Sequence, residues 1–282
     1  MIETVRFKIL HEPATDPKGK CRPSEDQVIA TLPFLGVADG TSGIHVPPTE
    51  PINFHGLTGG QMVGRMLAQS CAALSPENSI WDIITEANRL IREELTAAGL
   101  NVHQTDKTPA ACFALIKIGA DEIQYVCAGD CRILAIHNDR TLTITKDQVR
   151  LHDQEMYAEM RKLKEQQGPE EGLKTFFREF LPPKRLKRVN NPNCPKGYSV
   201  LNGQKKVKDM LMRGAFSREQ TENLIIFTDG LTHPDETDDQ RLAEQMASVH
   251  ASEGLEGLVN RAGQYQRPHE KKPEMTVMEV TL

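Results

Sequence analysis

The chain contains no apolar run near the roughly 18 residues needed to cross a bilayer, no internal repeat and no low-complexity stretch. Its six cysteines, at 21, 71, 112, 127, 131 and 194, include no Cys-x-x-Cys pair, so no dithiol or thiolate-metal motif is present. The amino terminus, Met1-Ile2-Glu3-Thr4-Val5-Arg6-Phe7-Lys8-Ile9-Leu10, is charged throughout. It lacks the apolar core of a signal peptide, and a reducing, cytoplasmic setting is the expectation. Basic charge is not in excess: the formal net charge of -5 argues against nucleic acid as the main partner, because phosphate backbones select basic surfaces. A Gly-x-Ser-x-Gly elbow, a Walker loop and a paired Cys-His motif are also missing, which leaves no signal for a serine hydrolase, a P-loop enzyme or a thiol hydrolase. What remains is a globular protein, 38% hydrophobic and 26% charged over 282 residues, with no expected membrane partner and chain enough for one large domain or two small ones.

Two apolar strands that each run into an Asp-Gly corner carry the chemistry. One is Phe34-Leu35-Gly36-Val37-Ala38-Asp39-Gly40, the other Leu224-Ile225-Ile226-Phe227-Thr228-Asp229-Gly230. A carboxylate at the mouth of a buried strand is costly unless a cation or several donors compensate it. Asp-Gly is also a common tight-turn dipeptide. Two such corners after near-continuous apolar runs favour convergence on a shared cation.

Around these corners the hydrophobic periodicity gives an order of elements. The amino terminus reads as an edge strand with Val5, Phe7 and Ile9 on one face. Residues 58–74 read as a helix with the stripe Met62, Val63, Met66, Leu67 and Leu74. A second helix starts at Ser79, with Asp82 as its capping-box partner, and stops near Gly99. Strands at 111–118, 123–128, 133–136 and 141–144 read as a meander, its turns at Gly119-Ala120-Asp121, Gly129-Asp130 and Asn138-Asp139. From 149 to 198 the character changes: a charged helical stretch, 151–167, precedes a shorter amphipathic one, 173–181, which Pro182-Pro183 is expected to end. Lys184, Arg185, Lys187 and Arg188 then form a basic cluster, either a solvated face or a contact for an anionic partner. A strand at 224–227, helices at 238–250 and 253–265, and a strand at 276–282 complete the chain. The expectation is one domain over 1–282 with a flap-like helical insertion at 149–198. Helix pairs between blocks of tightly connected strands favour an α+β fold with antiparallel sheets and helices outside.

The acidic residues at strand ends or turns are Glu25-Asp26, Asp39, Asp130, Asp229 and Glu274. All are hard oxygen ligands, which suit Mn²⁺ or Mg²⁺ over Zn²⁺. Carboxylates bridging two such ions can deliver a metal-bound water to a phosphorus centre without a side-chain base.

In serial order the chain resembles the type 2C metal-dependent Ser/Thr protein phosphatases, and their compact bacterial branch most. Ser24-Glu25-Asp26 matches the first acidic motif, and Val37-Ala38-Asp39-Gly40-Thr41-Ser42-Gly43 is similar to Asp-Gly-x-Gly-Gly. Gly59-Gly60-Gln61-Met62 looks like the helix opening that follows, and Ala128-Gly129-Asp130-Cys131-Arg132 resembles Gly-Asp-Ser-Arg. Leu142-Thr143-Ile144-Thr145-Lys146-Asp147-Gln148 is similar to Leu-Thr-x-Asp-His, and Thr228-Asp229-Gly230-Leu231 is a strong match. The resemblance implies a four-layer α-β-β-α sandwich of two antiparallel sheets flanked by helix pairs. It implies hydrolysis of phosphoserine and phosphothreonine in proteins at a two-ion Mn²⁺ or Mg²⁺ centre, and a cognate Ser/Thr kinase. It also implies roles: Asp39 bridging both ions, the Gly40 carbonyl as a ligand, Glu25 acting through water and Asp229 holding one ion. Asp130 matches the residue that, with the Asp229 equivalent, holds a third, weaker ion.

Three departures qualify the match. The family's last motif, Asp-Asn, is Pro273-Glu274 here; either Glu274 reaches in from the neighbouring position or that ligand is missing. The phosphate-gripping Arg falls at Cys21, with Arg22 adjacent as its substitute. Thr41 stands where some members carry a His, while His45 and His55 lie in the following loop. The second of these functions is therefore a catalytically weakened pseudophosphatase that binds a phosphoprotein partner, and a third is hydrolysis of a small phosphomonoester.

Overall fold

The computed structural model describes residues 5–16, 18–44, 52–140, 142–233, 235–265 and 272–282. Residues 1–4 of the first expected strand, His45 and Thr141 lie outside the described residues. The strands are β1 (Arg6–Glu12), β2 (Gln27–Thr31), β3 (Phe34–Thr41), β4 (Ala110–Ile118), β5 (Glu122–Ala128), β6 (Arg132–His137), β7 (Leu142–Ile144), β8 (Met212–Ser217), β9 (Thr221–Phe227) and β10 (Met275–Thr281). They form two five-stranded antiparallel sheets, ordered β1-β10-β9-β6-β7 and β2-β3-β4-β5-β8.

Helices α1 (Gly59–Ala73) and α2 (Ile80–Ala97) cover the second sheet through Val63, Leu67, Ile83, Ile91 and Leu95, against Phe34, Phe113 and Leu115. Helix α6 (Asp239–Ala262), two helices joined by a kink at Gly254, covers the first sheet through Leu242, Met246, Leu255 and Leu258. Between the sheets lie Leu35, Val37, Ile116, Ile133, Leu224, Ile226 and Met278. The result is the four-layer α-β-β-α sandwich of the α+β expectation. Both α1 and α2 begin with reciprocal capping boxes, Thr58 with Gln61 and Ser79 with Asp82, which satisfy amide groups that have no intrahelical partner. Among the described residues no helix is long and apolar enough to cross a membrane.

Four local expectations are corrected. The meander is divided: β5 pairs with β4 and β8, whereas β6 pairs with β7 and β9 in the other sheet. The chain changes sheet at Gly129-Asp130-Cys131, so Asp130 stands at a crossing between layers rather than in a hairpin turn. Strands β2 and β8 were not foreseen; they are the two edges of the second sheet and carry little apolar pattern. Phe7 is exposed on the edge strand, while Val5 and Ile9 pack against the core between the sheets.

The fourth correction concerns the insertion. Helix α3 (Arg150–Gln167) and helix α4 (Pro169–Thr175) lead into a π-helical turn, Phe176–Phe180, and helix α5 (Leu181–Arg188). Pro182 and Pro183 therefore open a helix instead of closing one, since the first turn of a helix does not use its amide protons. The insertion carries its own small core: Met156, Met160, Leu163 and Phe176, with Leu173, Phe177, Phe180 and Leu181 against it. Phe176 stands edge-on to Phe177 and stacks with Phe180, at centroid separations of 5.2 and 6.0 Å.

Because this satellite core is separate from the main layers, Phe176→Ala is expected to cost the insertion about 3–5 kcal/mol of local stability. Hydrogen exchange should accelerate across residues 150–188 and stay unchanged in β3, β4 and β9. Equal acceleration in both sheets would show instead that the insertion and the sandwich unfold as one.

Candidate metal centre

Strand alternation decides what converges at one end of the sandwich. In β3, Leu35 and Val37 face the layer between the sheets, and Asp39 is the next residue of that parity. Val28 of β2 faces the same layer while Ile29 faces the helices; continuing backwards, Asp26 shares the inward parity and Glu25 does not. In β9 and β10 the inward residues Ile226 and Met278 are followed on their faces by Thr228 and Thr276. The inter-sheet layer thus passes from aliphatic side chains into carboxylates and hydroxyls.

Asp26 is held by both threonines: Thr276 Oγ1 donates to its Oδ2 at 2.6 Å and Thr228 Oγ1 at 3.1 Å. The Thr276 amide in turn donates to Thr228 Oγ1 at 3.0 Å. On the other side of Thr276, its hydroxyl lies 2.8 Å from His11 Nδ1. His11, Asp26 and Glu274 each offer a ligand atom within 4.8 Å of the others'.

Glu25 points the other way. Its Oε1 accepts from the Ser42 and Thr58 hydroxyls, at the amino terminus of α1, where the helix dipole favours negative charge. The Asp39 corner presses on this same helix end. A Cβ at Gly40 would lie 2.6 Å from the Gly60 carbonyl and 2.8 Å from the Glu25 carbonyl. Only glycine fits there, and the close approach brings Asp39, Glu25 and α1 together. Glu274 accepts from the Asp26 amide at 3.1 Å, the Glu25 amide at 3.2 Å and the Ser24 hydroxyl, so it braces the turn that carries both acids. Gly230 packs against the Glu274 backbone, fixing the second Asp-Gly corner beside that brace. Pro273, which precedes Glu274, is buried.

The charges of these acids act on one another. The Asp39 carboxyl is pushed well above its ordinary 3.8 by burial and then by Asp26, Asp229, Asp130 and Glu274. Burial and then Glu274 push Asp26 up, with Asp229 adding to the effect and Thr276 and Thr228 opposing it. Asp130 rises to about 7 through burial, then Asp229 and Asp147. One Asp130 oxygen, Oδ1, is buried without a hydrogen-bond partner. A small cavity of about 30 Å³ separates it from Asp229; five acids, Asp130, Asp147, Asp153, Asp229 and Glu236, line it against two arginines, Arg132 and Arg150. That orphaned oxygen, the predominance of carboxylate donors and the mutual repulsion fit hard divalent cations.

Of the residues singled out in the sequence, Asp39, Asp130, Asp229 and Glu274 are brought within one electrostatic cluster. Glu25 sits beside it but is occupied by hydroxyls. Arg22 is exposed; its amide donates to the Ala14 carbonyl at 2.9 Å and its charge acts on Asp16. Asp26 stands in the sequence among the hard oxygen ligands but with no role of its own beside Glu25, and His11 escaped the sequence reading. The parity set by Val28 and Ile29 was the available signal for Asp26, while for His11 nothing local distinguished it. Gln148 was also missed. Its Oε1 accepts from the Gly129 and Ser199 amides at 3.1 and 3.2 Å, and its Nε2 donates to the Met210 carbonyl at 2.7 Å, stapling the Asp130 crossing to two distant segments.

No protein-family model and no curated protein matches the chain. Among solved structures it is similar to the catalytic domain of the serine threonine protein phosphatase PstP in complex with two manganese ions. That likeness has a TM-score of 0.58 at 16% identity over 98% of this chain and 97% of that one. The serine/threonine phosphatase Stp1 from Staphylococcus aureus gives 0.56 at 14% identity, over 99% and 95%. PppA of Pseudomonas aeruginosa gives 0.57 at 13% identity, over 98% and 97%. The resemblance to bacterial Ser/Thr phosphatases read from the motifs thus extends to the fold of nearly the whole chain.

The raised carboxyls make stability depend on pH in a defined sense. With Asp26, Asp39 and Asp130 above the unfolded value of 3.8, these three groups bind more protons in the folded, cation-free chain than in the unfolded chain between about pH 4 and pH 7. Their contribution to stability is fullest below the unfolded pKa and falls as pH rises through that window, opposed only in part by His152, which burial pushes down to about 3. Mn²⁺ is expected to raise the melting temperature more at pH 7 than at pH 5, and Asp130→Asn to flatten the cation-free profile. A cation-free melting temperature that climbs from pH 4 to pH 7 would contradict the cluster.

Proposed function

We propose that the protein is a metal-dependent phosphatase acting on phosphoserine and phosphothreonine in proteins. The observation that carries this reading is the acid cluster around Asp39, raised by Asp26, Asp229, Asp130 and Glu274 together, in a fold similar to that of a manganese-bound Ser/Thr phosphatase. A phosphate ester is itself an anion. It has no electrostatic reason to approach several carboxylates unless cations first reverse the sign of the site.

In this reading Asp39 and Asp229 hold the principal ions, with the Gly40 carbonyl as a further ligand and Glu25 and Asp26 orienting water from the flank. Asp130, facing Asp229 across the small cavity, holds a weaker ion. Mn²⁺ or Mg²⁺ bound there supplies charge neutralisation for the phosphoryl oxygens and a lowered pKa for water. The chain's own residues do the rest. Glu274 keeps the Ser24–Asp26 turn in register, the Thr276 and Thr228 hydroxyls fix the Asp26 carboxylate, and Arg22 on the rim offers a guanidinium to the phosphate. Segment 149–198 forms a flap beside the cleft, and its contribution is to select the phosphoprotein. A cognate kinase and a cytoplasmic setting follow from that substrate class.

A second reading, a binder of phosphoproteins with weakened turnover, is favoured by one feature. The position of the family's last Asp ligand is Pro273, and the adjacent Glu274 already accepts from three donors. Calorimetric titration with Mn²⁺ separates the two readings: two tight sites with turnover support the enzyme, one weak site without turnover the binder.

For the enzyme, Asp39→Asn and Asp229→Asn are each expected to lower Mn²⁺-dependent hydrolysis of p-nitrophenyl phosphate and of a phosphothreonine peptide by roughly 100-fold or more. Loss of an outer-sphere partner alone costs about 10–100-fold. Both variants should keep the circular dichroism of the parent, and undiminished turnover in both would refute the assignment.

A further inference from the structure

A larger cavity, of about 570 Å³, lies away from the acid cluster, between α2, the loop at 202–206 and the chain leaving α5. Its volume is in the range of small-molecule sites, and its lining has the opposite charge character. Arg92, Lys205, Lys206 and His103 face it, and no carboxylate does. Apolar walls come from Val102, Leu186 and Val189.

Arg92 is held in place by built structure, whereas Lys205 and Lys206 are exposed at the rim. Arg92 Nε donates to the Gly203 carbonyl at 2.6 Å, which anchors the guanidinium and leaves its two terminal nitrogens without a partner among the described residues. Gly203 adopts φ +82°, and a Cβ there would come within 2.9 Å of Arg92 Cα, so the loop can lie this close only as glycine. Asn88, buried under the same loop, grips it from both ends. Its Nδ2 donates to the Gln204 carbonyl at 3.0 Å and its Oδ1 accepts from the Gly203 amide at 2.9 Å. Gln204 Nε2 donates to the Val102 carbonyl at 2.8 Å and closes one wall.

Two further observations point to a ligand. Thr105 is only 3% exposed and lines the cavity, yet its hydroxyl has no hydrogen-bond partner, a state that burial normally excludes. The neighbouring basic pocket on the other side of Asn191 is different. There one carboxylate, Glu155, accepts from Lys184 and Arg188 at 2.7 Å and from Lys196 at 2.5 Å, so three of that pocket's four cations are held by an internal acid. In the larger cavity the cations have no internal acid.

We infer that this cavity is a binding site for an organic phosphate monoester, its phosphate taken by the Arg92 fork, the lysines and the Thr105 hydroxyl, and its organic portion by Val102, Leu186 and Val189. Guanidinium forks bind phosphate through paired, charge-assisted hydrogen bonds. The apolar walls give an ester an advantage over free phosphate. The site does not rest on the phosphatase reading: it uses none of the acid cluster, and the two are separated by chelation. Its loop is nonetheless adjacent to that cluster, because Leu201 bridges Ala111, which pairs with Gly40 in β3.

The test is calorimetric titration of the full chain with phenyl phosphate and, separately, inorganic phosphate, in chelator and at roughly 150 mM salt, where remote surface attraction is screened. Phenyl phosphate should bind at one site and more tightly than inorganic phosphate. Arg92→Gln should weaken it at least tenfold, the Lys205→Gln/Lys206→Gln double variant about threefold and Thr105→Val measurably. The double variant and Thr105→Val leave the Arg92–Gly203 bond intact, so the test survives if Arg92→Gln does not fold. Lys187→Gln, in the neighbouring pocket, should have no effect. Equal affinity across parent and variants, equal loss in Lys187→Gln, or no binding of either probe would overturn the site. Binding of inorganic phosphate alone would overturn the ester assignment.

Discussion

Mutual repulsion among carboxylates at one end of the inter-sheet layer is the constraint around which the molecule is arranged. Asp26, Asp39, Asp130, Asp229 and Glu274 arrive from five separate segments, and the charge of each raises the cost of ionising another. Several unusual local features answer that cost. The Thr276–Asp26–Thr228 bonds, the Ser42 and Thr58 hydroxyls on Glu25, the amides donated to Glu274 and the Gly40–Gly60 contact all supply donors or a favourable dipole. They stabilise the acids one at a time. None cancels the sum of the charges, and a divalent cation does so directly.

How much of this could be read from the sequence depended on whether a residue's role was set by local pattern. The Asp-Gly corners stood out because each ends an apolar run; alternation fixes the facing of Asp39, whereas Asp229 has the opposite parity to Ile226 and is placed by the turn that follows β9. The capping boxes at Thr58 and Ser79 are equally local. Glu25 and Asp26 are neighbours, and choosing between them requires the parity of a strand, β2, that was too short and too polar to be recognised. A shift of one residue moves every side chain to the opposite face. The edge strands β2 and β8 have one partner each, which weakens the apolar signal that revealed the central strands. The division of the apparent meander at Gly129-Asp130-Cys131 was not legible at all: a tight turn and a crossing between sheets begin with the same residues, and long-range pairing with β8 and β9 decides between them.

Two regions of opposite charge both draw lining residues from the helical segment 150–189. The acid cluster is hydrogen-bonded into the sheets themselves, whereas the cations of the larger cavity are carried by a helix surface and a glycine-locked loop. The insertion, with its own aromatic core and its Glu155-centred ion cluster, contributes Leu186 and Val189 to that cavity. It also contributes Asp153 and Tyr157 to the small acidic one. A single segment therefore touches both chemistries, which no composition-based reading of its charged helices would suggest.

The place of β10 within its sheet has a consequence for biosynthesis. Among the described residues it is the only partner of β1 and also pairs with β9, so β1 waits for a strand made more than 260 residues after it. Until residues 275–281 emerge, β1 has an unpaired edge and Asp26 lacks the Thr276 hydroxyl. Nascent chains must therefore carry an open strand and an incompletely compensated acid while the residues between β1 and β10 are made. That interval is when they are most exposed to edge-to-edge association with one another.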